Sequence, residues 1–308
     1  MPSALVRPAA GASAAPPERP MDLQRTLGWH RNGRRDPTTG LGPASFMRAS
    51  WTPDGPATML IDWSGAQVRV DTWGPGGDHA GRAALGMLAL DRIPQVLGDH
   101  HPLVTTAARR FGGVRTGASG DLYHALLPTI LAQRVTSGEA SAQWARLCRE
   151  LGEPAPGPDL GLLLPPRPDR LVGRPAWWFH PLGIEGKRAR ALTEVARLAD
   201  RLWEWVHLPL AELAAKLALV SGIGVWTIGS VLGPVRGDDD AVVIGDYHLP
   251  NMVAWNLAGE PRADDARMLD LLAPYRGQRG RVQRLIAWAG QQAPAFGPRR
   301  RILPMYRW

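Results

Sequence analysis

The chain has a single cysteine in 308 residues, Cys148. That excludes an intrachain disulfide, a zinc site built on several cysteines, and an iron–sulfur cluster held by four. Cys148 falls in a helical pattern and reads as a core thiol. No run of 18 consecutive apolar residues occurs, so no segment reads as a membrane-spanning helix. Phenylalanine and tyrosine are scarce, at four each, whereas tryptophan reaches 13, so any aromatic surface is built mainly of indoles. Acidic residues are in the minority, 28 against 36 Lys plus Arg, which leaves a net charge of +8. Arg far outnumbers Lys. The balance suits a polyanionic partner, although a GC-rich coding bias toward Arg, Ala, Gly and Pro produces part of the same excess. Residues 1–20 are Ala/Pro-rich and lack the apolar core of a signal peptide, so they read as a disordered tail. The expected location is cytoplasmic and nucleoid-associated.

Four regions follow from the pattern. After the tail, residues 21–98 read as a small α+β domain. Its strands fall at 44–51, 57–63 and 67–73, separated by Thr-Pro-Asp-Gly-Pro and Ser-Gly turns, with a helix over 80–97. Residues 99–290 read as helical. The spacing predicts helices over 121–127 (capped by Ser119 and kinked by Pro128), 137–151, 185–205, 210–219, 225–232, 249–257, 263–272 and 279–290. Residues 291–308 form a basic tail containing Arg299, Arg300 and Arg301.

Chemistry concentrates in residues 217–227, Leu-Ala-Leu-Val-Ser-Gly-Ile-Gly-Val-Trp-Thr. A helical run enters Gly222-Ile223-Gly224, and a second helix starts with Val225-Trp226-Thr227. Glycines one residue apart permit a tight turn and close approach of a partner. The free N–H groups of the second helix then form an anion site suited to phosphate. A dinucleotide-binding reading fails, because the preceding run is helical in composition and no βαβ unit follows. Asp246 lies 22 positions beyond Gly224, in Val-Val-Ile-Gly-Asp-Tyr-His-Leu. Taken alone, an aspartate before a helix is an ordinary N-cap. The neighbouring Asp238, Asp239 and Asp240 read as a solvated charged loop.

Hairpin and downstream aspartate together resemble the helix–hairpin–helix DNA glycosylases, and the wider match is to the 3-methyladenine DNA glycosylase II group. The resemblance covers about residues 21–290. It implies an α+β protein, with a mostly α-helical helix–hairpin–helix core and a small N-terminal antiparallel sheet domain. It also implies a monomer acting on double-stranded DNA with a damaged base, with no membrane partner. Asp246 takes the place of the catalytic carboxylate, Trp226 and Tyr247 match pocket positions, and Gly222, Ile223, Gly224, Val225 and Thr227 form the phosphate-gripping hairpin. Trp177, Trp178 and Trp288 are pocket candidates by location, with core packing as the alternative.

Ile130-Leu131-Ala132-Gln133-Arg134-Val135-Thr136 is similar to the family's segment ending in Gln-x-Val-Ser, whose residue after the glutamine wedges into the duplex. Here Arg134 holds that place, as a stacking wedge or as a phosphate ligand. Gln133 is then available to the orphaned opposite base. The Gly183–Ala189 segment resembles another family element, in which Arg188 braces its helix. Arg279, Arg281 and Arg299–Arg301 are further phosphate candidates. Bifunctional relatives carry a lysine where Trp226 stands, and an indole cannot form a Schiff base. The resemblance thus implies a monofunctional enzyme that removes alkylated bases. No metal or cofactor is expected, apart from the monovalent cation that the family's hairpin carbonyls accept. The alternatives are the same fold acting on an oxidised or deaminated base, and a DNA-binding protein without catalysis. Two positions depart from the family pattern. Ser230 replaces an aromatic, and the pocket tryptophan near Trp288 aligns on Ala287.

Overall fold

The computed structural model describes residues 21–294. Residues 1–20 and 295–308, with Arg299–Arg301, lie outside the described residues. Helix α1 (Leu23–Gly28) precedes an antiparallel sheet of β1 (Thr39–Leu41), β2 (Ser45–Thr52), β3 (Gly55–Asp62) and β4 (Arg69–Trp73), in that spatial order. Phe46 pairs with Ile61, and Met59 with Thr72. Alternation along β2 and β3 turns Phe46, Ala57, Met59 and Ile61 inward, where they pack against α2 (Gly77–Leu88) through Ala80, Ala84, Met87 and Leu88. The edge strand β1 is only three residues long, too short to be read as an alternating pattern.

Helix α2 ends earlier than its expected span of 80–97. Ala89 adopts the left-handed conformation at φ 49° and closes the helix by bonding Leu85 O. Beyond it the chain leaves the sheet: Ile93 and Val96 are 77% and 95% exposed, and Leu97 packs instead against the helical part.

The helical part follows: α3 (Pro102–Arg110), α4 (Leu122–Leu131), α5 (Ser137–Leu151), α6 (Pro168–Leu171), a 3₁₀ segment at Ala176–Leu182, α7 (Gly186–Arg197), α8 (Ala199–Trp205), α9 (Leu210–Ala218), α10 (Val225–Arg236), α11 (Leu249–Ala258), α12 (Asp265–Leu272) and α13 (Arg279–Ala289). Its core gathers apolar faces of α4, α5 and α7–α10, including Leu126, Ile130, Trp144, Leu192, Leu213 and Val231. Helix α4 is capped by Asp121, whose carboxylate accepts from His124 N, rather than by Ser119, and it runs through Pro128. The expected 185–205 helix divides at Leu198 into α7 and α8.

A buried polar cluster fastens the sheet to the helices. Asp36 accepts from Thr38 N, Thr38 Oγ1 and, at 2.9 Å, the indole of Trp144 on α5. The His124 ring on α4 lies 3.0 Å from Thr38 Oγ1 and 3.1 Å from Ser50 Oγ. Arg48 on β2 reaches Asp121 at 3.4 Å. Each is a polar group removed from water, so its partners carry much of the cost of burial.

Candidate active site and nucleic-acid interface

The turn between α9 and α10 is built by close approach. Gly222 sits at φ +87°, and a Cβ there would come within 2.6 Å of Ala191 Cβ on α7. Both facts demand glycine. Ile223 is buried in the helical core and anchors the turn. Gly224 caps α10 without a side-chain hydrogen bond, and nothing lies within 4 Å of where its Cβ would be. The first turn of α10 is therefore open to an approaching group, with Val225 65% exposed. Thr227 is buried, as is the side chain of Ile223. These two residues offer an external ligand their backbone alone.

Gln133, in the loop between α4 and α5, locks that loop to the hairpin. Its Nε2 donates to Gly222 O and to Thr227 Oγ1, both at 2.9 Å. Both amide hydrogens are thereby engaged, leaving Oε1 as its free polar atom for any base. Arg134 follows with φ +60° and is exposed. A left-handed arginine is uncommon and costs local strain. The loop is also held from below. The buried Arg188 donates from Nη1 to Leu131 O and to Gln143 Oε1, each at 2.7 Å, and Gln143 in turn donates to Gly183 O. Arg188 therefore braces three segments (α4, α5 and the entry to α7), a wider role than one helix; Glu185 lies 3.7 Å from it.

The segment carrying Asp246 lies across α10. A Cβ at Gly229 would meet Val242 O at 2.5 Å and Val243 Cα at 3.1 Å, so only glycine admits this contact. Gly245 turns the chain at φ +80° and donates its N–H to Asp265 Oδ2. Asp246 then sits half-buried at the start of α11. Its Oδ1 accepts from the backbone N–H groups of His248 (2.8 Å) and Leu249 (2.9 Å). Its Oδ2 accepts from Trp226 Nε1 at 3.0 Å. Three donors fix the carboxylate, one of them from the hairpin helix. Asp246 thus both holds the turn that enters α11 and partners Trp226.

The aromatic candidates divide. Tyr247 is 74% exposed and meets the His248 ring edge-on. Trp177 is 67% exposed on the 3₁₀ segment. Trp178 has its face under the Arg174 guanidinium at 4.0 Å and its edge on Phe179, and it packs on the helical core. Trp288 meets Phe111 edge-on at 5.4 Å, near the end of α13. Among the described residues, no ring contact joins Trp177, Trp178 or Trp288 to Trp226 or Tyr247. Ser230 donates to Trp226 O.

The acidic run is structural. Asp240 accepts from Gly277 N and from Arg279 N, Nε and Nη2. Asp239 accepts from Thr116 Oγ1 and Arg284. The expected solvated loop is instead a clamp between α10 and α13. It also claims Arg279, while Arg281 donates to Gln95 O and Gln278 Oε1. Neither arginine is available as a simple surface phosphate ligand. Arg279 meets Asp240 across 39 residues of sequence and Arg281 meets Gln95 across 186, which periodicity does not reveal.

No protein-family model matches the chain, and no curated protein matches it. Solved structures do. A 3-methyladenine DNA glycosylase from Archaeoglobus fulgidus superposes with a TM-score of 0.68 at 16% identity, covering 88% of this chain and 96% of that one. MBOgg1 in complex with a low-affinity DNA ligand gives 0.62 at 14% identity, over 82% and 97%. The Clostridium acetobutylicum 8-oxoguanine glycosylase/lyase with double-stranded DNA gives 0.57 at 14%, over 81% and 96%. The chain has the fold of the helix–hairpin–helix DNA glycosylases. In this fold α9, the Gly222–Gly224 turn and α10 form one helical hairpin, and β1–β4 with α1 and α2 form the small sheet layer that precedes the helices.

Proposed function

We propose that the chain is a monofunctional DNA glycosylase that removes alkylated purines from double-stranded DNA during base excision repair. The observation that carries this reading is the Asp246 carboxylate, fixed by three hydrogen bonds beside the first turn of α10. Cleaving an N-glycosidic bond develops positive charge on the deoxyribose, and a preorganised anion near the anomeric carbon stabilises that charge. The same carboxylate orients the attacking water. A purine alkylated at N3 or N7 already carries positive charge and leaves without a general acid, so one carboxylate is sufficient.

Each remaining part has a role in this scheme. The open N–H groups of α10 grip a phosphate without reading sequence. The loop at Arg134 enters the duplex while the damaged nucleotide turns out toward Trp226 and Tyr247. Indole and phenol rings favour a cationic base over a neutral one. Trp226 has no amine, so strand scission through a Schiff base is not expected. The protein works as a monomer, and the hairpin carbonyls would hold a monovalent cation.

A second reading keeps the fold and changes the lesion to an oxidised base. It is favoured by the likeness to structures that are named as 8-oxoguanine enzymes.

Base release decides between them. Duplexes containing methylated purines or 8-oxoguanine are incubated with wild type and Asp246→Asn, with borohydride present in a parallel set. Methylpurine release by wild type, reduced at least about 100-fold in the variant and without trapped adduct, is the expected result. Release of the oxidised base instead selects the second reading. Equal release by both proteins removes Asp246 from the mechanism.

A further inference from the structure

We propose that the loop of residues 31–35, Arg-Asn-Gly-Arg-Arg, is a second phosphate-binding element, which extends the DNA footprint from the helical part onto the N-terminal part. The inference rests on the DNA-binding reading above. Its observations lie elsewhere in the molecule.

Arg34 and Arg35 are exposed, and among the described residues neither side chain carries a hydrogen bond or ion pair. Most exposed arginines on a protein surface are tethered loosely; this loop is not. Gly33 takes φ +85° and presses against α5, where a Cβ would come within 2.5 Å of Ser141 Oγ. Arg31 donates across the loop to Arg34 O. Asn32 N donates to Asp36 Oδ2 at 2.8 Å, and Asp36 Oδ1 is engaged by Thr38 and by Trp144. The one acid close to the arginines in sequence is therefore buried and turned to the interior. It does not compete with a phosphate for Arg34 or Arg35.

Position gives the loop its ligand. Ser141 lies one helical turn after Ser137, and Ser137 begins the helix that directly follows the Arg134 loop. Four helical residues rise about 6 Å, and three extended residues reach at most about 10 Å. Adding the side-chain contact between Ser141 and Gly33, Gly33 is within roughly 20 Å of Arg134, or about six base-pair steps along a duplex strand. The surface between them consists of Thr136, Ser137 and Gly138, all exposed and uncharged. The acid on that turn, Glu139, accepts from Gln143 on the other flank of α5. A strand held at the hairpin and opened at Arg134 meets, a few nucleotides away, exposed cationic side chains carried on a pre-formed loop.

The test measures Kd for a fluorescent duplex carrying a tetrahydrofuran abasic analogue, across a potassium chloride series. Wild type, Arg34→Ala/Arg35→Ala, Arg34→Lys/Arg35→Lys and Val225→Glu are compared. Each phosphate contact contributes about 0.9 to the slope of log K against log salt. The double alanine variant should flatten the slope by about 1–2 and weaken binding about tenfold at low salt, and the double lysine variant should keep the slope. Val225→Glu, which places a like charge at the hairpin, should weaken binding independently. An unchanged slope in the alanine variant, with binding still sensitive to Val225→Glu, overturns this inference and leaves the functional reading intact. Absence of binding by wild type overturns both.

Discussion

Trp226 on the hairpin helix donates its indole N–H to Asp246 Oδ2, 3.0 Å away, and so joins the two halves of the candidate site. Replacing Trp226 with phenylalanine keeps a ring and deletes the donor. A hydrogen bond to a charged group contributes about 1.5–3 kcal/mol. Base release in Trp226→Phe should fall roughly tenfold to a hundredfold in kcat, with Kd for an abasic analogue nearly unchanged. Single-turnover kinetics beside a binding titration would separate the two. A loss confined to binding would make the indole a stacking surface rather than a support for the carboxylate.

Gln133 predicts a different pattern. Its Nε2 bridges Gly222 O and Thr227 Oγ1, so it positions the Arg134 loop on the hairpin. Gln133→Ala should lower stability by about 1–2 kcal/mol. It should also reduce the fluorescence change of 2-aminopurine placed beside the lesion, because wedge and grip no longer move as one. Undiminished base extrusion would dismiss the coupling.

Arg279 should behave as a structural residue. It holds Asp240 by side chain and backbone together. Arg279→Ala is expected to cost about 1–3 kcal/mol in urea unfolding, while the salt slope of DNA binding stays as in wild type. A flattened slope would restore it to the DNA surface.

His30 makes stability depend on pH. Burial, reinforced by the charges of Arg48 and Arg284, lowers its pKa from 6.5 to about 3. The unfolded chain takes up a proton as pH falls through 6.5, while the folded chain resists until about 3. The favourable contribution is therefore complete above pH 6.5 and declines from there to about pH 3. Each pH unit in that window removes about 1.4 kcal/mol, or roughly 2 kcal/mol between pH 6.5 and 5. Burial also lowers the pKa of His124, which acts in the same direction. Urea midpoints at pH 7 and pH 5 should converge in His30→Gln relative to wild type. Parallel losses in both proteins would place the acid sensitivity elsewhere.

Local rules made some of this legible and left the rest hidden. The Gly222–Gly224 turn, the start of α10 and the placement of Asp246 before a helix are written in contiguous residues, and helix α5 falls at its expected limits. The fold class was readable for the same reason, since each strand of the sheet but β1 is long enough to alternate. The end of α2 at Ala89 was hidden, because an alanine at positive φ carries no composition signal. The clamp of Asp239 and Asp240 on α13 was hidden too, because a charge run looks alike whether water or arginine faces it. The segment holding Gln133 stood out in the sequence; the partners of Gln133, 89 and 94 positions away, did not.

The polar cluster between sheet and helices bears on how the chain can be divided. Trp144, His124 and Asp121 belong to the helical part, but their partners Asp36, Thr38, Ser50 and Arg48 belong to the residues before 53. A fragment beginning near residue 99 would retain the hairpin, Trp226 and Asp246 and still lose the partners of three interior side chains. The sheet is thus no accessory that can be trimmed to leave an intact helical unit. A deletion there would reach α4 and α5 first, and through them the loop that holds Arg134.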